Sequence, residues 1–219
     1  FMAACNFGHK DVVQLLLSCS DKNIDLNARN NMGGTAFKMA CTNGYKDIVQ
    51  LLLCHSDRID LNARDNTGIT AFMTACSNGQ KGIVKLLMDH SERIDLNAKD
   101  THGLTALMIA CRNGHKDVVQ WLLEHSERIE LNARANNGWT AFMTACFTGH
   151  KDIVQLLLDN SERIELNARA NTGYTALILA CWEGHKDIVK LLLEHSDIDI
   201  SGYEDLPQEM VDFLESYQL

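Results

Sequence analysis

Gly103-Leu104-Thr105-Ala106-Leu107-Met108-Ile109-Ala110-Cys111-Arg112-Asn113-Gly114-His115 is the stretch that decides the fold. The residues around its start, Asp100-Thr101-His102-Gly103, have turn composition. Thr105 then stands where a helix N-cap belongs. Ala106, Leu107, Ile109, Ala110 and Cys111 form a short apolar helix, and Asn113-Gly114 stops it, as glycine does at a helix C-terminus. Asp117 opens a second helix, in which Val118, Val119, Leu122 and Leu123 fall on one apolar face. The segment His125–Arg134 returns the chain to the next turn.

This unit recurs along the whole chain. Leu-Asn-Ala begins at Leu26, Leu61, Leu96, Leu131 and Leu166, each 35 residues after the last. Gly-x-Thr-Ala begins at Gly33, Gly68, Gly103, Gly138 and Gly173 with the same period of 35. A third marker is the glycine that precedes the lysine of the second helix: Gly8, Gly44, Gly79, Gly114, Gly149 and Gly184. Its first interval is 36, and the extra residue falls in Ser18–Ile24. A helix pair this short cannot bury its own apolar face, whereas stacked neighbours can. Six glycine markers therefore predict six helix pairs. The chain opens at Phe1-Met2-Ala3-Ala4-Cys5, which reads as the middle of a helix, so the first repeat is expected to be truncated.

The quoted residues resemble the ankyrin-repeat family, whose pattern runs G-x-T-P-L-H-x-A-A-x-x-G-H followed by a V-x-x-L-L helix. The resemblance covers roughly residues 1–200. Its Pro after Thr is Ala here (Ala36, Ala71, Ala106, Ala141, Ala176), and its His is replaced by Lys38, Met73, Met108, Met143 and Ile178. That His bonds locally in the family, so a small loss of rigidity is expected in each repeat. The repeat also exceeds the family's common length in segments such as His125-Ser126-Glu127-Arg128-Ile129. The resemblance implies an all-α solenoid of about six stacked helix-turn-helix pairs with short β-hairpin-like turn tips. It also implies a non-enzymatic protein-interaction scaffold whose turn tips and first helices line a concave face.

Composition narrows the classes. The 219 residues suit one domain or two small ones, and 46% hydrophobic content argues against a disordered chain. No apolar run approaches the roughly 20 residues of a membrane helix. With 29 acidic against 20 basic residues the net charge is −9, which argues against nucleic-acid binding and hints at a basic partner.

Five columns invite a chemical reading. Cys5, Cys41, Cys76, Cys111, Cys146 and Cys181 each follow an Ala on the first helix, with Cys19 and Cys54 outside the column. Helices pack about 8–10 Å apart, whereas a disulfide needs Cα atoms within about 7 Å and a metal needs converging thiolates. These thiols are read as small buried apolar groups, suiting a reducing compartment. His9, His115, His150 and His185 share a column with Tyr45 and Gln80, while His55, His90, His125 and His195 share one with Asn160. Such exchange within one chain points to structural polar roles rather than to ligands. Lys10, Lys46, Lys81, Lys116, Lys151 and Lys186 are mostly followed by Asp, and the arginines 58, 93, 128 and 163 are flanked by carboxylates, so both read as solvated surface. No phosphate loop, nucleophile elbow or zinc-protease motif is present.

Copies of a repeat supply their own alignment: fixed columns carry the scaffold, and variable exposed columns carry recognition. The residue between Gly and Thr runs Gly34, Ile69, Leu104, Trp139, Tyr174, and the residue after Cys runs Asn6, Thr42, Ser77, Arg112, Phe147, Trp182. By resemblance both columns line the concave groove. Trp139, Phe147, Tyr174 and Trp182 are expected to anchor a partner, with Ile69, Leu104 and Arg112 extending the surface. The tips change from Asn30, Asp65 and Asp100 to Ala135 and Ala170 where the aromatics gather. Phe37, Phe72 and Phe142 read as core, and Trp121 as core or back-face packing.

The expected organisation is a truncated repeat over 1–29, repeats at 30–64, 65–99, 100–134, 135–169 and 170–204, and a capping helix over 205–219 built on Leu206, Met210, Phe213, Leu214 and Tyr217. The expected function is a monomeric cytosolic or nuclear scaffold, without metal or cofactor, that binds a protein or peptide and neither nucleic acid nor membrane. The alternatives are a recruitment module of a longer enzyme or channel, or a structural array without a dedicated partner.

Overall fold

The computed structural model describes residues 1–18, 24–201 and 208–216; Cys19, Leu206 and Tyr217 lie outside them. Among the described residues the regular structure is helical throughout. Two compact units are present, Phe1–Thr101 and His102–Leu219.

The first unit holds three helix pairs: α1 (Met2–Asn6) with α2 (Lys10–Ser18), α3 (Ala36–Thr42) with α4 (Lys46–Leu53), and α5 (Ala71–Ser77) with α6 (Lys81–Met88). The second holds α7 (Ala106–Arg112) with α8 (Lys116–Glu124), α9 (Ala141–Thr148) with α10 (Lys151–Leu158), and α11 (Ala176–Trp182) with α12 (Lys186–Leu193), followed by α13 (Gln208–Glu215). Within each unit first helices pack on first helices and second on second: α1, α3 and α5, then α2, α4 and α6; α7, α9 and α11, then α8, α10 and α12.

Each full first helix starts at the expected threonine. Thr35, Thr70, Thr105, Thr140 and Thr175 are extended, and their hydroxyls accept from the amides of Lys38, Met73, Met108, Met143 and Ile178. The helix interior is apolar nearly all round, and Phe37, Phe72 and Phe142 are fully buried. The six column cysteines are buried too, and Cys54 is exposed. Burial pushes the Cys5 thiol up to about 11 and Cys181 to about 12, and raises Cys41, Cys76, Cys111 and Cys146 further, so all stay protonated thiols.

The turn tips close as hairpin-like turns without strand pairing: Gly138 N donates to Ala135 O at 2.9 Å and Ala135 N to Trp139 O at 2.9 Å. The first four tips also reach the next, as where Asn171 N donates to Asn137 O at 3.0 Å. Gly138, at φ 83°, is pressed against this junction; a Cβ there would stand 2.7 Å from Asn171 N.

Polar side chains bind one repeat to the next. The Asn of Leu-Asn-Ala clamps the following repeat at two backbone points. Asn62 Nδ2 donates to Arg93 O at 2.9 Å while its Oδ1 accepts from Asp95 N at 2.8 Å. Asn132 does the same with Arg163 O (3.0 Å) and Glu165 N (2.9 Å). Both histidine columns have defined partners. His150 and His185 reach back through Nε2 to Arg112 O and Phe147 O at 3.0 Å, and Gln80 in that column donates to Thr42 O at 3.1 Å. His55, His90 and His125 donate from Nδ1 to the carbonyls of Leu51, Leu86 and Trp121, and Asn160 donates to that of Leu156 at 2.9 Å. The exchange of His for Gln or Asn thus preserves one hydrogen bond.

Two sequence expectations are refined. Arg93 and Arg163 are not merely solvated: Arg93 donates to Ser56 Oγ and O at 2.6 Å, and Arg163 to Leu123 O at 2.9 Å. At Lys38 the position of the family's His is a buried cation whose ammonium pairs with Asp65 of the next turn tip. Burial alone would raise the Asp65 pKa; Lys38, the Thr67 hydroxyl and the Ile69 and Thr67 amides outweigh it and hold the carboxyl at about 2.

At the C-terminal end α13 buries Met210 and Leu214, and Phe213 lies 5.7 Å and 5.9 Å from the ammonium groups of Lys186 and Lys190 on α12.

Candidate functional site

The site is built from two places in the repeat. The residue between Gly and Thr is set by the turn tip. Its carbonyl is held by the residue-135 amide, and its own amide donates to Asn137 Oδ1 at 3.0 Å in Trp139. The residue after Cys is set by the last turn of the first helix. In Trp139 and Phe147 these two positions meet: the rings are 4.7 Å apart, edge to face at 60°. Two columns 8 positions apart in sequence, 139 and 147, therefore share one wall.

Leu104 and Arg112, the equivalent residues one repeat earlier, line the same depression, which encloses about 340 Å³. His102, Ala135, Asn136, Asn137, Thr144 and Thr148 complete it. Four of its ten lining residues are apolar, and no aspartate or glutamate lines it. Leu104, Trp139 and Phe147 are partly exposed and Arg112 is exposed. The backbone beneath Arg112 is fixed, since its carbonyl accepts from His150.

The other expected contact residues fall elsewhere. Tyr174 is partly exposed and Trp182 is 46% exposed; they occupy the same two columns one repeat on and lie outside the lining of this groove. Ile69 belongs to the first unit and is partly exposed beside the Asp65 turn, to whose carboxylate its amide donates at 3.0 Å. Trp121 stacks on His125 at 4.0 Å on the second-helix side. Thr144 and Thr148 escaped the sequence reading. Thr148 stands where other copies have Asn43, Asn78 and Asn113, and its hydroxyl turns inward to Thr144 O at 2.8 Å.

Short capped helices paired through glycine turns and stitched repeat to repeat define a helical-repeat protein. A family model described as "Ankyrin repeats (3 copies)" matches residues 1–65, 57–135 and 127–202, and the chain belongs to the ankyrin-repeat family. Ankyrin repeats are generally protein–protein interaction modules and typically non-enzymatic. None of the curated proteins compared with the chain matches it. Among the described residues no helix is long and apolar enough to cross a membrane.

Proposed function

We propose that this chain is a non-enzymatic scaffold of the cytosol or nucleus that binds a protein or peptide through the turn-tip and first-helix face of its second unit. Trp139 and Phe147 are the principal anchors, Leu104 and Arg112 extend their surface, and Tyr174 and Trp182 are secondary contacts. The supporting observation is the edge-to-face contact of Trp139 and Phe147 in the wall of an open groove. Both rings stand at positions that are free to be small or polar in other copies, such as Gly34 and Ser77. Rings partly exposed at positions the scaffold does not require are the residue type that carries binding energy at interfaces.

The test is capture from cell extract by the intact chain beside a Trp139→Ala/Trp182→Ala variant of matched melting temperature. A protein held by the parent and lost by the variant supports the reading. Equal capture by both places the contact away from the aromatic columns.

A further inference from the structure

We infer that the partner presents an acidic peptide segment: an apolar side chain enters the groove between Leu104, Trp139 and Phe147, and a neighbouring aspartate or glutamate meets the Arg112 guanidinium. The inference rests on the groove being the binding site and adds the chemistry of its occupant.

Charge is the argument. The chain as a whole is acidic, at −9. The groove runs against that trend, because Arg112 is exposed at its edge and no carboxylate lines it. The change is local and specific to position. Asp65 and Asp100 occupy the turn tip in two earlier copies, whereas Ala135 takes that place in the groove and Ala170 in the next repeat. At Asp65 the equivalent carboxylate is held by Lys38 and by its own tip's amides; in the groove Ala135 takes the place of that carboxylate, in the lining that Arg112 shares. Its replacement leaves the guanidinium available to an anion from outside, and a guanidinium beside aromatic rings holds a carboxylate by charge-assisted, often paired, hydrogen bonds. The apolar part of the ligand follows from the remaining wall, where two rings and a leucine line a depression of about 340 Å³, room for an apolar side chain and part of its neighbour.

The experiment is selection of random displayed peptides on the intact chain, followed by titration of fluorescent synthetic versions against the parent and three variants. Enriched peptides are expected to carry an aliphatic or aromatic residue close to Asp or Glu. Arg112→Glu, at an exposed position, is expected to weaken them about tenfold, the scale of one charge-assisted hydrogen bond, and Arg112→Gln somewhat less. Changing the peptide's acid to Lys should restore binding to Arg112→Glu. Phe147→Ser, which puts at this position the residue found at Ser77, should remove binding altogether. Enriched peptides that are basic or uncharged, or that ignore Arg112→Glu while losing to Phe147→Ser, overturn the acidic partner and leave the groove. Peptides indifferent to Phe147→Ser, or no enrichment at all, overturn both.

Discussion

Lys38 and Asp65 show how one column can carry two solutions. In the second unit the equivalent pairs are Met108 with Ala135 and Met143 with Ala170, all buried. In the first unit one pair is Lys38 with Asp65, and these two bond, while the other is Met73 with Asp100. Removing one charge leaves the other buried, whereas replacing both with apolar groups need not destabilise. Lys38→Met is therefore expected to lower unfolding free energy by about 1–3 kcal/mol, and Lys38→Met/Asp65→Ala to recover most of it, as read by urea titration. The pH dependence has a definite sign. The Asp65 pKa is depressed from 3.8 to about 2, so its contribution is present above pH 3.8 and is lost as pH falls through about 2. The gap between parent and Lys38→Met should narrow in that acid window and stay constant above it. The asparagine clamps belong to the same scale. Asn132→Ala removes two hydrogen bonds to the next repeat's backbone and is expected to cost about 1–2 kcal/mol, while His150→Gln should be nearly neutral, because Gln80 makes the equivalent bond.

At the scale of the element, the turn tips decide how closely repeats approach. Gly138 and Gly173 share a left-handed backbone, but Gly138 has the next tip against it, whereas among the described residues nothing stands within 4 Å of a Cβ at Gly173. Gly173→Ala should then show only the left-handed penalty, about 1 kcal/mol, and Gly138→Ala distinctly more, by thermal or urea unfolding. The helices themselves were legible in the sequence. Threonine before the apolar run, glycine after it and the 35-residue period gave the caps, the ends and the count. The partners of the polar columns were not, for a physical reason. Periodicity says which residues are equivalent, but not which column of one repeat faces which column of the next. Asn132 meets backbone 31 and 33 positions on, and Lys38 meets a carboxylate 27 positions on; only the packed structure supplies those offsets. The site was legible in part. Variation between copies singled out Trp139 and Phe147, while their edge contact and the inward turn of Thr148 depend on coordinates.

Over the whole molecule, stability arises repeat by repeat, and the cysteine column provides a probe in nearly every repeat. Native protein treated with iodoacetamide should be modified at Cys54, which is exposed, while Cys41, Cys76, Cys111 and Cys146 react only after local opening. Peptide mapping by mass spectrometry against denaturant concentration then reports which repeats open first. Recognition through the turn-tip and first-helix face can be read by photocrosslinking in cell extract. A benzoylphenylalanine is placed at position 147 in one protein and, in another, at position 155, where Gln155 is exposed on α10. A discrete crosslinked partner is expected from position 147 and none from position 155. Crosslinking from position 155 with none from position 147 would place recognition on the second-helix face and contradict that expectation.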